Sequence, residues 1–92
     1  MSNQQIIITV SGVDKVGIVA KVATVLTKYN VNIEDIKQTL MQGHFVMFML
    51  CSIEKSEYPF KEIKEALTKT GEELNMEIWV QRKEIFDNMH NI

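Results

Sequence analysis

The chain has 92 residues, room for one hydrophobic core and too few for two. With 46% apolar and 24% charged residues it has the composition of an ordinary soluble globular domain. A net charge of -2 without any lysine- or arginine-rich tract argues against a nucleic-acid surface, and a single cysteine, Cys51, excludes an internal disulfide.

The first ten residues, MSNQQIIITV, carry no basic n-region, and their apolar run is too short for a signal peptide or a membrane span. Together with the lone cysteine this leads to the expectation of a cytoplasmic domain, complete as it stands, with no membrane contact. Residues 5–11 are β-branched and apolar on both parities, with Ile6, Ile8 and Val10 against Ile7 and Thr9. Such a strand suits a position covered on both sides. From Val16 the period changes, and Val19, Val22, Ala23 and Leu26 recur as the buried stripe of a helix. Asp14 is the expected N-cap and Asn30 the expected stop.

Residues 32–42 alternate, Glu34, Ile36, Gln38 and Leu40 against Asp35, Lys37 and Thr39, and Gln42-Gly43-His44 supplies a turn. Residues 45–53 return with Phe45, Met47, Met49, Cys51 and Ile53 against Val46, Phe48 and Leu50, so the pair reads as a β-hairpin. Residues 57–73 form a second helix around Phe60, Ile63 and Leu67, with Pro59 in its first turn and Gly71 ending or fraying it. Residues 75–83 alternate again, and the tail from Glu84 places Ile85, Phe86, Met89 and Ile92 on a loosely helical stripe.

The order βαββαβ, with two right-handed crossovers, predicts an α+β, ferredoxin-like sandwich: a four-stranded antiparallel sheet with two helices on one face. The strands apolar on both parities, the first and third, belong in the centre, and the mixed second and fourth belong at the edges. One domain spans residues 1–92, with a core over about 4–83 and a short tail at 84–92. Because the helices cover one face only, the other needs either the tail or a second subunit, and a homodimer is the better expectation.

Several activities of this scaffold lack their residues. No cysteine pair or arginine stands in the first loop, for metal transfer or phosphate capture, and strand one has no aromatics for base stacking. His44 and His90 lack the spacing and partners of a metal site. Cys51 and His44 have opposite parity on one strand, which argues against a nucleophile–base pair and leaves Cys51 a small buried hydrophobe. No enzyme activity and no cofactor are expected.

The stretch SGVDKVGIVAKV remains. It is neither a P-loop nor a dinucleotide fingerprint. It does present a helix N-terminus whose free N–H groups suit a small carboxylate, with Gly17 clearing space beside it. A purely structural reading competes and is the stronger on the residues alone: Gly12 turns the chain, Asp14 caps the helix and Gly17 lets it pack.

The longer stretch VSGVDKVGIVAKVATVLTKYNVNIEDI resembles the opening of the ACT domain, a small-molecule-sensing module of amino-acid-metabolism enzymes and stand-alone regulators. DKVGIVA and NVNI are the most specific parts. With its tail, EIFDNMHNI, the chain is similar to small single-domain ACT proteins of prokaryotes and to repeats of the glycine-cleavage repressor-like group. The resemblance implies a non-enzymatic regulatory homodimer with a site for an amino acid or similar metabolite. Its contacts would be Asp14, Val16, Gly17 and Ile18 from the first loop, and Asn30 and Asn32 from the turn after the helix, the latter from the same chain or its partner. Asp14 would receive the ammonium group while the helix N–H groups hold the carboxylate. The alternative is a protein–protein interaction module, without a small-molecule ligand, that meets an unidentified partner through the open sheet face or an edge strand.

Overall fold

A computed structural model of the chain describes residues 4–13 and 17–89. The elements follow in the order β1 (Gln5–Val13), α1 (Ile18–Lys28), β2 (Asn32–Met41), β3 (His44–Ser52), α2 (Phe60–Leu74), β4 (Glu77–Arg82) and α3 (Lys83–Met89). The strands form one antiparallel sheet in the order β2-β3-β1-β4, so the two strands apolar on both parities are the central ones. This is the ferredoxin-like sandwich.

Alternation decides what faces the helices. Ile6, Ile8 and Val10 of β1 and Met47, Met49 and Cys51 of β3 are each 0% exposed. They meet Ile18, Val22 and Leu26 of α1 and Ile63 and Leu67 of α2, the buried members of two stripes with helical period. Full burial of one such side chain stabilises the fold by about 1.5–3 kcal/mol. Phe60, at the start of α2, is half-buried with the Arg82 guanidinium 4.5 Å above its ring.

Both long helices are closed by an asparagine. Asn30 and Asn75 each have φ 57, and the N–H groups that follow them, of Val31 and Met76, bond back to Leu26 O at 2.9 Å and Gly71 O at 2.8 Å. This is the left-handed closing motif of helix C-termini. Gln42 (φ 51) and Gly43 (φ 83) supply the β2–β3 turn, two left-handed residues matched to the twist of a hairpin.

Both glycines expected to interrupt structure instead serve close packing. Gly12 lies within β1 opposite Phe45, and a Cβ there would meet Met76 Sδ at 2.5 Å. Gly71 is buried inside α2, where a Cβ would stand 2.8 Å from the Met76 carbonyl. The helix therefore runs on to Leu74. It also starts later than expected, at Phe60, because Pro59 is extended (φ -70, ψ 158) and Ser56 anchors the preceding loop by donating to Tyr29 O at 2.6 Å. At α1 the N-cap residue is Gly17, left-handed at φ 86, whereas Asp14 lies outside the described residues.

The tail resolves into α3, a seven-residue helix that follows β4 directly and folds over the open sheet face. Phe86 meets Phe48 edge to face at 6.4 Å, and Gln81 Nε2 donates to Met89 Sδ at 3.2 Å. The cover is thin. No residue of α3 is buried, and Phe48, Trp79, Ile85 and Met89 stay exposed. His90 and Ile92 lie outside the described residues.

Candidate functional site

The first half of the expected site gathers at the start of α1. The Lys21 N–H is bonded to Gly17 O at 2.9 Å, so the N–H groups of Ile18, Val19 and Ala20 stand outside the helix's own ladder. Among the described residues no acidic side chain in the first turn offsets their partial positive charge, and none caps them. Among the described residues nothing lies within 4 Å of where a Gly17 Cβ would project, which leaves room beside it. Ile18 is buried and holds the helix start on the core. Asp14 and Val16, the other two loop residues of the expected site, lie outside the described residues.

The second half lies elsewhere. Asn30 and Asn32 line a cleft of about 460 Å³ with Glu34, Ser52, Glu54 and Lys55. Asn30 donates from Nδ2 to Lys55 O at 2.8 Å, which binds the end of α1 to the loop after β3. Glu34 accepts from Gln5 Nε2 at 2.8 Å and stands at a bulge, where β2 shifts register between Ile33 and Asp35. Two carboxylates, Glu34 and Glu54, against one ammonium, Lys55, leave the lining of this cleft with a net charge of about -1. Glu34, Ser52, Glu54 and Lys55 were not among the expected residues. Their proximity depends on the β2–β3 pairing, and the bulge has no local sequence signal.

These halves occupy opposite ends of α1. Eleven helical residues separate them by roughly 16 Å. The same opposition is written in the sheet, where Gln5, Ser52 and Asn32 pair in one end row and Val13, His44 and Met41 in the other. At this second end Val13 and Met41, which both pair with His44, are 66% and 68% exposed, and Leu40, on the opposite face with Phe45, is 59% exposed.

Catalytic machinery is not assembled by the described residues. Cys51 is fully buried, and desolvation, helped by the nearby Glu34 carboxylate, pushes its thiol from 9.0 up to about 12, the opposite of an activated nucleophile. His44 is exposed across the sheet, its Nε2 3.2 Å from Ser11 Oγ. Among the described residues no group of three or more His, Cys, Asp and Glu side chains could hold a metal ion, and no helix is long and apolar enough to cross a membrane.

A four-stranded antiparallel sheet with two helices on one face defines the ferredoxin-like class, and comparison with known proteins narrows it. The sequence profile of the ACT domain matches residues 4–81. The chain belongs to the ACT domain family. It is similar to a UPF0237 protein of Listeria innocua, 48% identical over 86 residues that make up 94% of this chain and 97% of that protein. Among solved structures it is similar to an ACT domain protein from Streptococcus pneumoniae, with a TM-score of 0.78, 35% identity and coverage of 90% and 93% of the two chains. It is also similar to a candidate glycine cleavage system transcriptional repressor, with a TM-score of 0.74 and 25% identity over 86% of this chain and 45% of that one.

Proposed function

We propose that this protein is a cytoplasmic, non-catalytic regulatory module that binds a free amino acid, or a metabolite of like charge, between two copies of the chain. One observation carries the reading: the open N-terminus of α1 and the acidic cleft of Asn30 and Asn32 are electrostatic opposites at opposite ends of one helix. A zwitterion needs both. Its carboxylate fits the N–H groups after Gly17, and its ammonium group fits the Glu34 and Glu54 carboxylates, which outnumber the single Lys55 ammonium of that cleft. One chain cannot bring them within a few ångströms, but a second copy facing the opposite way supplies the missing half. Asp14 and Val16 would complete the loop side. Ligand binding then favours the joined, loop-ordered state by its differential affinity and so changes what the pair presents to a partner protein. The role of the repressor-like neighbour, transcriptional control, is in keeping with a regulatory part.

Thermal-shift measurements across the amino acids test this, comparing wild type with Asp14→Ala and Gly17→Leu. Stabilisation by one amino acid or a narrow class, lost in Gly17→Leu, is expected, because a ligand of the folded state raises its melting temperature. If no amino acid stabilises the wild type at millimolar concentration, the ligand reading is wrong. The exposed Trp79, Phe48 and Met89 on the tail-covered face favour a second reading, a ligand-free protein-interaction module. In that case Phe48→Asp removes a captured partner and the loop variants do not.

A further inference from the structure

We propose that the outer edge of β4 receives an extended segment of a partner protein, added as a fifth, antiparallel strand whose charges are read by Lys64 and Glu72 of α2. This goes beyond the ligand reading, since β4 is the sheet edge opposite β2, the strand that brings Asn32 and Glu34 to the cleft. Among the described residues no strand stands beside β4 on its outer side. In an antiparallel ladder alternate residues turn both backbone groups to the same side, so half of its six residues direct theirs outward. Edge strands are ordinarily blunted by proline, lysine or a bulge. β2 has Lys37 and a bulge, whereas β4 has none of the three and pairs with β1 without a register shift.

A groove of about 530 Å³ follows this edge between β4 and α2. Ile78 and Val80 belong to its strand side, and Lys64, Thr68 and Glu72, all exposed, form its helix wall. Those three stand four residues apart, a step of about 6 Å along the helix axis. Every second residue of a strand advances by about 6.8 Å, so successive helix-facing side chains of an added strand meet Lys64, Thr68 and Glu72 in turn. The packing fixes the direction. α2 and β4 run antiparallel, with Phe60 beside the Arg82 guanidinium and Gly71 against Ile78, so Lys64 lies toward the Arg82 end and Glu72 toward the Glu77 end. Neither Lys64 nor Glu72 has an ion-pair partner among the described residues. A segment antiparallel to β4 therefore fits with an acidic residue first, a small hydroxyl residue two places on, and a basic residue two places after that.

On the other face the segment meets Trp79. This side chain is 63% exposed in the middle of β4, and its Nε1 donates to Glu77 Oε1 at 3.3 Å, which ties the ring along its own strand. An apolar residue between the acid and the base packs across from it, and tryptophan carries a large share of the energy where proteins meet. α3 leaves β4 inward, over β1 and toward Phe48, and so leaves the edge clear.

Titration of the full chain, followed by the fluorescence of its one tryptophan, Trp79, tests the groove with defined heptapeptides acetylated and amidated at their ends. The peptide SEVTVKS binds saturably with a Kd below about 1 mM, and its charge-reversed twin SKVTVES binds about tenfold more weakly. Exchanging the wall charges, Lys64→Glu with Glu72→Lys, inverts that preference; both changes suit the helix dipole, and circular dichroism confirms the fold. Proline at either of two adjacent places removes an N–H, and one of the two points at β4, so SEVPVKS or SEVTPKS loses about tenfold or more in affinity. No saturable signal up to about 1 mM, an exchanged chain that keeps the wild-type preference, or two proline peptides that both bind as well as their parent each overturns the proposal. The amino-acid reading is unaffected by any of these results, because its thermal shifts are measured without peptide.

Discussion

The two edge strands carry similar apolar residues and end in opposite conditions. On β4, Ile78 and Val80 are 6% and 3% exposed beneath α2, and on the same face of β2, Ile36 and Leu40 are 39% and 59% exposed. The strands do not explain this, since both alternate. The helices do. α2 packs closely along β4 while α1 barely touches β2, so the apolar face of one edge is finished by its own chain and that of the other is left uncovered. Stability should therefore concentrate on the β4 side and self-association on the β2 side.

The largest expected effect tests the finished edge. Ile78→Ala opens a cavity under α2 and should cost about 2–5 kcal/mol in urea unfolding, without changing the mass of the folded species. A loss below 1 kcal/mol would mean that β4 is no better anchored than β2. Gly71→Ala should follow at about 1–3 kcal/mol. Its Cβ would stand 2.8 Å from the Met76 carbonyl and 2.9 Å from Ile78 Cγ1, so crowding of backbone outweighs the helix-propensity gain of about 1 kcal/mol. Unchanged or higher stability would show that the α2–β4 junction gives way easily.

Cys51 sharpens the comparison on the β2 side, where it pairs with Ile33. Its folded thiol titrates at about 12, above the unfolded 9.0, so the folded state holds its proton more tightly than the unfolded one. That contribution is fully present below about pH 9 and is lost as pH climbs toward 12. By pH 10 about 1 kcal/mol of it has been lost. Urea midpoints at pH 8 and pH 10 should fall further for wild type than for Cys51→Ala, and parallel falls would contradict the burial argument. Smallest of all should be Leu40→Ala. Its effect on the unfolding of the single chain is expected within about 0.5 kcal/mol, while dimer dissociation measured by dilution becomes easier.

Much of this architecture is legible in the residues. Parity alone separates β1 and β3, apolar on both faces, from β2 and β4, and so orders the sheet. Isoleucine, phenylalanine and methionine at helical spacing mark the tail that becomes α3. What local pattern conceals is contact at a distance. Gly12 reads as a turn because nothing nearby in sequence reports that Met76 crosses it, and Gly71 reads as a terminator because its crowding by Met76 and Ile78 arises only when β4 folds back along α2. The late start of α2 depends on Ser56 bonding to Tyr29, 27 residues away. Of the candidate site, Gly17, Ile18, Asn30 and Asn32 are legible as two turns flanking one helix, and the length of that helix already implies that one chain keeps them apart. Glu34 and Glu54 are not legible, because the cleft forms only when β2 pairs with β3 around a bulge.

Complementation between two disabled chains tests most directly whether the site is shared. Gly17→Leu blocks the loop half and Asn32→Arg fills the cleft half, so neither variant alone should bind the amino acid that stabilises wild type. An equimolar mixture, allowed to exchange subunits, forms mixed dimers with one intact site each. Calorimetry should then recover about one quarter of the wild-type binding capacity at unchanged affinity. A mixture of exchanging dimers that recovers no binding would contradict a site built from two copies.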